Sequence, residues 1–258
     1  MEIHSEPLLD VDRYLSNEKE GQFEHYRPFL ENCLRSIERF KPLTPETKIL
    51  EVGTGRGFFP LVCGLRGLRC DGLEISPQLA KRAVELGREH GLDLDVRLAN
   101  IEEADLGENI YDVVMASSVF EHVERWRTGL QNVYRILKPG GVMYFESTNK
   151  FSIGSGEYPK FPLYGWLPDR VRYEFRKIVH GPDIMKLGID FHQFRYPLLR
   201  REFRKLGFRQ IHDLVDLSDP DRVSTSWKKS IANLSKTNAL AKRAALTFAE
   251  VTRFICVK

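Results

Sequence analysis

Cysteine is scarce in this chain and follows no pattern: Cys33, Cys63, Cys70 and Cys256 stand in no paired spacing. A zinc site and a thiol redox motif both need close pairs, so neither is expected, and the apolar neighbours of Cys63 and Cys70 assign them to a core. No uninterrupted apolar run is long enough to cross a bilayer, and the first residues are acidic rather than basic and then apolar. Transmembrane insertion and a secretory leader are therefore disfavoured, and a reducing cytoplasm is the expected home. Strong charge of either sign is also missing, since the net charge is +3 over 258 residues. That balance lacks the overall basic footprint of a nucleic-acid binder, and no appended RNA-binding module or Asn/Asp-Pro-Pro-Tyr motif for an extruded amine occurs. No nucleic-acid partner is expected. The length suits one large α/β core with insertions.

What is present starts at Leu50-Glu51-Val52-Gly53-Thr54-Gly55-Arg56-Gly57, an apolar strand running into an acidic residue and then into alternating glycines. Lys48 to Val52 reads as a short buried strand, and the glycines after it permit positive φ and close approach of a ligand to the backbone. A dinucleotide fingerprint spaces its glycines as Gly-x-Gly-x-x-Gly, and this loop does not. Glu51 would repel a pyrophosphate but suits a ligand with a cationic amino group, such as S-adenosylmethionine. The plain alternative is a tight connection that needs permissive residues. The next strand, Leu68 to Ile75, carries Glu74 near its end, about 20 residues beyond the loop, where a carboxylate can accept the hydroxyls of an adenosine ribose. Ser76 caps the next helix and Pro77 starts it, which puts Glu74 at a strand's carboxyl edge. An exposed strand-end charge is the alternative for Glu74.

At this point the chain resembles the class I S-adenosylmethionine-dependent methyltransferases, especially the small-molecule branch that includes the ubiquinone-biosynthesis O-methyltransferases. Five segments carry the resemblance in family order: Glu51 to Gly57, Leu73-Glu74-Ile75-Ser76, Tyr111-Asp112-Val113-Val114, Phe120-Glu121-His122-Val123 and Leu137-Lys138-Pro139-Gly140-Gly141. Together they cover roughly residues 45 to 148. The resemblance implies a Rossmann-like, doubly wound, mostly parallel sheet of seven strands, with lid insertions after strand 5 and between strands 6 and 7. It implies S-adenosyl-L-methionine as cofactor, held by Glu51, Gly53, Thr54, Gly55, Gly57, Glu74, Ile75, Asn100, Ile101 and Ser117. Asn100 stands where the family usually has Asp and keeps a carbonyl acceptor for an adenine amine, with Ile101 against the ring. Ser117 and Ser118 end a strand whose edge faces the methionyl part, or else they serve as helix caps before Val119. Some relatives read Glu-x-x-Glu-His and bind a divalent cation; here Ser118 replaces the first Glu, so no metal is expected.

His122 is the candidate catalytic residue. It lies just past a strand's carboxyl edge, beside the expected donor, where a neutral imidazole can take a hydroxyl proton during methyl transfer. The alternative is that Glu121-His122 forms a structural turn. His180 and His192 are secondary candidates. Four regions are expected: residues 1–44, an arm and a cofactor-covering helix in which Tyr26 and Arg27 are candidates for the cofactor carboxylate; 45–149, the cofactor core; 150–195, an acceptor lid; and 196–258, the rest of the core. The lid is rich in aromatics, namely Phe151, Tyr158, Phe161, Tyr164, Trp166, Tyr173, Phe175, Phe191 and Phe194. Most of these should pack together, while some line an acceptor pocket and Arg170, Arg172, Arg176 and Lys177 meet an anionic group on the acceptor.

Alternation of pattern predicts strands at Leu94 to Ala99, Asp112 to Ala116, Val142 to Glu146, Phe208 to Val215 and Thr252 to Val257, with helices at Pro77 to Glu89, Arg127 to Leu137 and Tyr196 to Leu206. Ser226 to Glu250 reads as a basic amphipathic helix that packs on the domain or lies on an anionic membrane. The expected partner is a small or lipid-like acceptor methylated on oxygen. Nitrogen or carbon acceptors, an RNA substrate and a non-catalytic cofactor-binding role are the alternatives.

Overall fold

The computed structural model describes residues 11–16, 22–154, 161–180, 192–219 and 225–258, with only the backbone of Arg13, Tyr14, Val179, His180, Trp227 and Lys228. Most of the expected N-terminal arm, Tyr158, Phe191 and the side chains of Trp227 and His180 lie outside that description. After a short helix α1 (Val11–Ser16), helix α2 (Gln22–Glu38) turns Phe23, Leu30, Cys33, Leu34 and Ile37 inward at helical spacing. It unwinds at Phe40 and Lys41, whose N–H groups both return to the Ile37 carbonyl just before Pro42.

Seven strands then form one sheet, interleaved with helices: β1 (Ile49–Val52), α3 (Phe58–Leu65), β2 (Cys70–Glu74), α4 (Pro77–Glu89), β3 (Val96–Leu98), β4 (Tyr111–Ser117), α5 (Trp126–Ile136), β5 (Leu137–Thr148), α6 (Asp169–His180), α7 (Tyr196–Leu206), β6 (Gln210–Asp213), α8 (Leu214–Leu217), α9 (Ser226–Thr237), α10 (Ala239–Phe248) and β7 (Val251–Val257). Their order is β3-β2-β1-β4-β5-β7-β6, and β7 runs antiparallel to both neighbours. Because strand side chains alternate, each strand feeds two cores. Leu50, Val52, Val114, Ala116, Met143, Phe145 and Phe254 pack with residues of α5 and α7 on one face. Ile49, Val113, Met115, Val142, Tyr144 and Ile255 pack with α2 and α3 on the other.

Strands β2 and β3 are shorter than expected, at Cys70–Glu74 and Val96–Leu98, and three further elements depart from the expected ranges for identifiable reasons. Strand β5 starts at Leu137 rather than Val142, because Leu137 pairs with Tyr111 before the register shifts through the Gly140-Gly141 turn. Strand β6 stops at Asp213 instead of Val215, since the Asp213 carboxylate accepts the N–H groups of Val215 and Asp216 while Asp216 accepts that of Asp213, a capping box that starts α8. The basic segment after Ser226 is two helices rather than one: the Asn238 side chain accepts the N–H groups of Leu240 and Ala241 and caps α10.

The aromatics of the described lid pack largely on one another, with Phe161, Tyr164 and Phe175 in mutual contact and Phe151 against Trp166. Trp166 in turn stacks on Phe248 of α10. The lid is thereby pinned to the C-terminal insertion. Thiol chemistry has no place in this core. All four cysteines are free and buried, and burial pushes Cys33 up to about 12 and holds Cys70 and Cys256 well above the usual thiol value.

Candidate active site

The carboxyl edges of β1, β2 and β4 converge at the turn after β1. This is where the strand order reverses, since the chain moves from β1 outward to β3 and then returns to β4 on the other side. Gly53 and Thr54 donate to the Leu73 carbonyl at 2.8 and 3.1 Å, which ties the loop to β2. Gly53 sits so close to the segment after β4 that a Cβ there would lie 2.4 Å from a Val119 methyl. Gly57, at φ +83°, begins α3 against α4, and a Cβ on it would meet Ala83 at 2.7 Å. Gly55 differs from both. Its φ is +54° and a Cβ on it would enter open space, so the backbone here is bare toward the outside.

The carboxylates around this loop are unlike each other. Glu74 accepts from the Gly55 N–H at 2.8 Å through one oxygen, and from Ile75 and Ser76 at 2.9 and 3.0 Å through the other. Of its roughly four lone-pair sites three are therefore engaged, where the sequence suggested a pair of ribose hydroxyls. Glu51 is 8 % exposed, and its Oε2 has no hydrogen-bond partner among the described residues. Burial, then the neighbouring Cys63 and Glu74, holds its carboxyl well above the ordinary 4.5.

Ile75 presents an apolar side chain at the edge, 38 % exposed. Ile101 is 3 % exposed and packs in the core beside Gly129. Asn100 turns its carbonyl oxygen to the Glu102 N–H at 2.9 Å, forming a local turn. Thr54 is buried with its hydroxyl toward the Glu51 carbonyl at 3.4 Å. Tyr26 lies over Phe58 at the start of α3, at a ring distance of 5.9 Å. Arg27 is engaged with Glu24 on its own helix.

The segment after β4 leaves the sheet at Ser117. Ser118 takes φ +53° and donates its N–H to the Glu146 carbonyl of β5 at 2.9 Å. A 3₁₀ turn, Phe120–His122, comes next, and the His122 N–H closes on the Val119 carbonyl. Glu121 is buried and accepts from the Ser147 hydroxyl at 2.7 Å, while His122 is exposed. Val119 packs at Gly53, so the turn carrying His122 is built directly on the glycine loop. His192 returns to the same turn: its N–H meets the Glu121 carbonyl at 3.2 Å and its ring meets the Glu124 carbonyl at 2.8 Å.

Two of the lid cations expected to meet an acceptor are committed elsewhere. Arg172 is 3 % exposed and pairs with Asp169 at 2.9 Å, and Lys177 pairs with Glu174. Sequence reasoning missed Asn149, Arg195 and Arg201, which line a cavity just beyond β5. The available signal was a polar residue immediately after a strand's carboxyl end.

These features fit an adenosyl sulfonium that carries an amino group. Gly55 offers bare backbone, Ile75 an apolar surface, and Glu51 a buried carboxyl with an unpartnered oxygen for a cation. Residues 50–145 match the family described as a methyltransferase domain. Fold, loop and match together support a class I S-adenosylmethionine-dependent methyltransferase domain in this region, a family whose cofactor is S-adenosylmethionine. Within that class the chain is similar to the ubiquinone biosynthesis O-methyltransferase of Rickettsia prowazekii (strain Madrid E), at 26 % identity over 149 residues, or 55 % of this chain and 57 % of that protein. The chain spans about half the length of the curated relatives it matches.

Solved structures agree on the fold. Haemonchus contortus phosphoethanolamine N-methyltransferase 2, in complex with phosphomonomethylethanolamine and S-adenosylhomocysteine, gives a TM-score of 0.57 at 17 % identity, over 88 % of this chain and 52 % of its own. An S-adenosylmethionine-dependent methyltransferase from Archaeoglobus fulgidus gives 0.54 at 21 % identity, over 93 % and 97 %.

Proposed function

We propose that this protein methylates an oxygen of a small or lipid-like metabolite. The observation that supports this reading is the seating of the His122 turn on the glycine loop through the contact of Val119 with Gly53. When bound, S-adenosylmethionine supplies an electrophilic methyl group on a cationic sulfonium. The chain's own work is then binding, alignment and proton removal. Glu51, once ionised, would hold the amino group; the Gly55 backbone and Ile75 would receive the adenosyl part; Glu74 orders the loop and has one acceptor position left that a ribose hydroxyl would fill. Thr54, Asn100 and Ser117 shape the edge around them. His122 is exposed, and its imidazole would take the hydroxyl proton while the carbon–oxygen bond forms and the methyl–sulfur bond breaks, with S-adenosylhomocysteine leaving.

Calorimetric titration with S-adenosylhomocysteine, and with NAD as the control, tests the cofactor half of this reading. Micromolar binding of the first and none of the second is expected. His122→Ala should leave that affinity unchanged and slow transfer to a phenolic acceptor about 10²- to 10⁴-fold. Undiminished turnover of the phenolic acceptor in the variant would remove His122 as the base.

A further inference from the structure

Beyond the carboxyl end of β5 lies a cavity of about 230 Å³ lined by none of the residues assigned to the cofactor or to the proposed base. Its wall starts at Asn149, joined to Phe194 by a single β-bridge, and continues through Phe151, Arg195, Tyr196, Arg201 and Thr247. Two guanidinium groups thus border one small space. Arg195 is exposed and has no ion pair among the described residues, while Arg201 rests on the adjacent Glu202 at 3.4 Å with most of its side chain open. A guanidinium presents a planar fork of donors that matches a carboxylate or phosphate.

Asn149 adds an independent observation. It is 4 % exposed, and its Nδ2 is held by the carbonyls of Leu246, Thr247 and Ala249 at 3.0, 3.0 and 2.8 Å. Those three bonds fix which way the amide faces. The Oδ1 on the other side is buried and has no partner among the described residues. A buried acceptor without a donor is costly, and a hydroxyl or N–H arriving with a ligand relieves it. Phe151 and Tyr196 line the same cavity, the latter fixed by its hydroxyl on the Val251 carbonyl at 3.1 Å.

We propose that this cavity is an anion subsite for the methyl acceptor. Arg195 and Arg201 receive a carboxylate or phosphate, Phe151 and Tyr196 meet the apolar part next to it, and Asn149 accepts from a hydroxyl or N–H of the same molecule. The assignment rests on the small-molecule methyltransferase reading. It assigns the anion to two arginines that line one cavity rather than to the lid cations Arg172 and Lys177. It also narrows the acceptor from any hydroxyl compound to one with a negative charge close to an apolar body. Such a charge belongs either to a free metabolite or to a lipid headgroup.

The full chain is titrated first with S-adenosylhomocysteine and then, saturated with it, with phenyl phosphate; vesicles of phosphatidylcholine with phosphatidic acid form the lipid arm. Arg195→Gln and Arg201→Gln are measured alongside. In at least one arm the wild type should bind saturably and each variant should bind about tenfold more weakly, with S-adenosylhomocysteine affinity unchanged. The arm that binds identifies the source of the anion. Equal binding by wild type and variants, or no binding in either arm while S-adenosylhomocysteine binds, would overturn the subsite and leave the methyltransferase reading standing. Failure of S-adenosylhomocysteine itself to bind would overturn both.

Discussion

Glu51 shows how one side chain couples folding to the binding of a ligand. Its raised carboxyl means that the folded chain keeps a proton that the unfolded chain gives up, so the stability it contributes is complete at acid pH. That contribution is lost as pH rises from about 4.5 through the raised folded value. Glu51→Gln should flatten this part of the profile, measured as the urea midpoint between about pH 5 and 8. Superimposable slopes would refute the desolvated carboxyl. A cationic amino group selects the ionised form, so binding of S-adenosylhomocysteine should release a proton, seen as a heat that depends on buffer, and the variant should lose this. The placement of Glu51, Glu74 and Ile75 at or just past strand ends was legible in the sequence from the hydrophobic period of β1 and β2. The burial of Ile101 was not, because nothing in the local pattern told that this side chain turns inward beside Gly129.

The elements are joined by contacts that leave little tolerance at the glycine loop. Gly57 opens α3 with a left-handed φ and no room for a methyl group against Ala83, whereas Gly55 has the same hand of φ with nothing over it. Gly57→Ala should therefore lower stability by about 2–4 kcal/mol, summing left-handed strain and overpacking, and be read in chemical denaturation. Gly55→Ala should lower it by only about 1 kcal/mol but weaken S-adenosylhomocysteine binding by more than tenfold, because its methyl group stands where the ligand approaches. If the two variants changed places, the loop's open side would be misassigned. Strand and helix identity in this half followed from hydrophobic period, and Ser76-Pro77 marked the start of α4 to the residue. The departures came where a polar side chain competed for backbone N–H groups. Asp213 ended β6 early and Asn238 divided the basic helix, and in both cases capping overrode the longer periodic pattern. Asp213 is completely buried and meets Arg200 at 2.8 Å and Lys242 at 3.0 Å, so the same residue that stops β6 also fastens α10 to α7.

At the scale of the molecule, no helix among the described residues is long and apolar enough to cross a membrane. Helices α9 and α10 nevertheless leave Ile231, Leu234 and Leu240 between 49 and 74 % exposed in a segment that also carries Lys229, Lys236, Lys242 and Arg243. A surface of this composition suits an anionic bilayer, and the protein is expected to sediment with phosphatidylglycerol vesicles at low salt and to leave them at high salt. Remaining in the supernatant at low salt would assign these helices to packing alone. The seven-stranded topology was legible because five short segments fall in one order along the chain. The cavity was not, since Asn149, Arg195 and Thr247 are brought together only by the return of α7 and α10 to the end of β5. That arrangement divides labour along the chain. Every residue assigned to the donor lies before β5 ends, and every residue lining the cavity lies after it, so a lineage can exchange one acceptor for another by altering its second half while the first half is inherited intact.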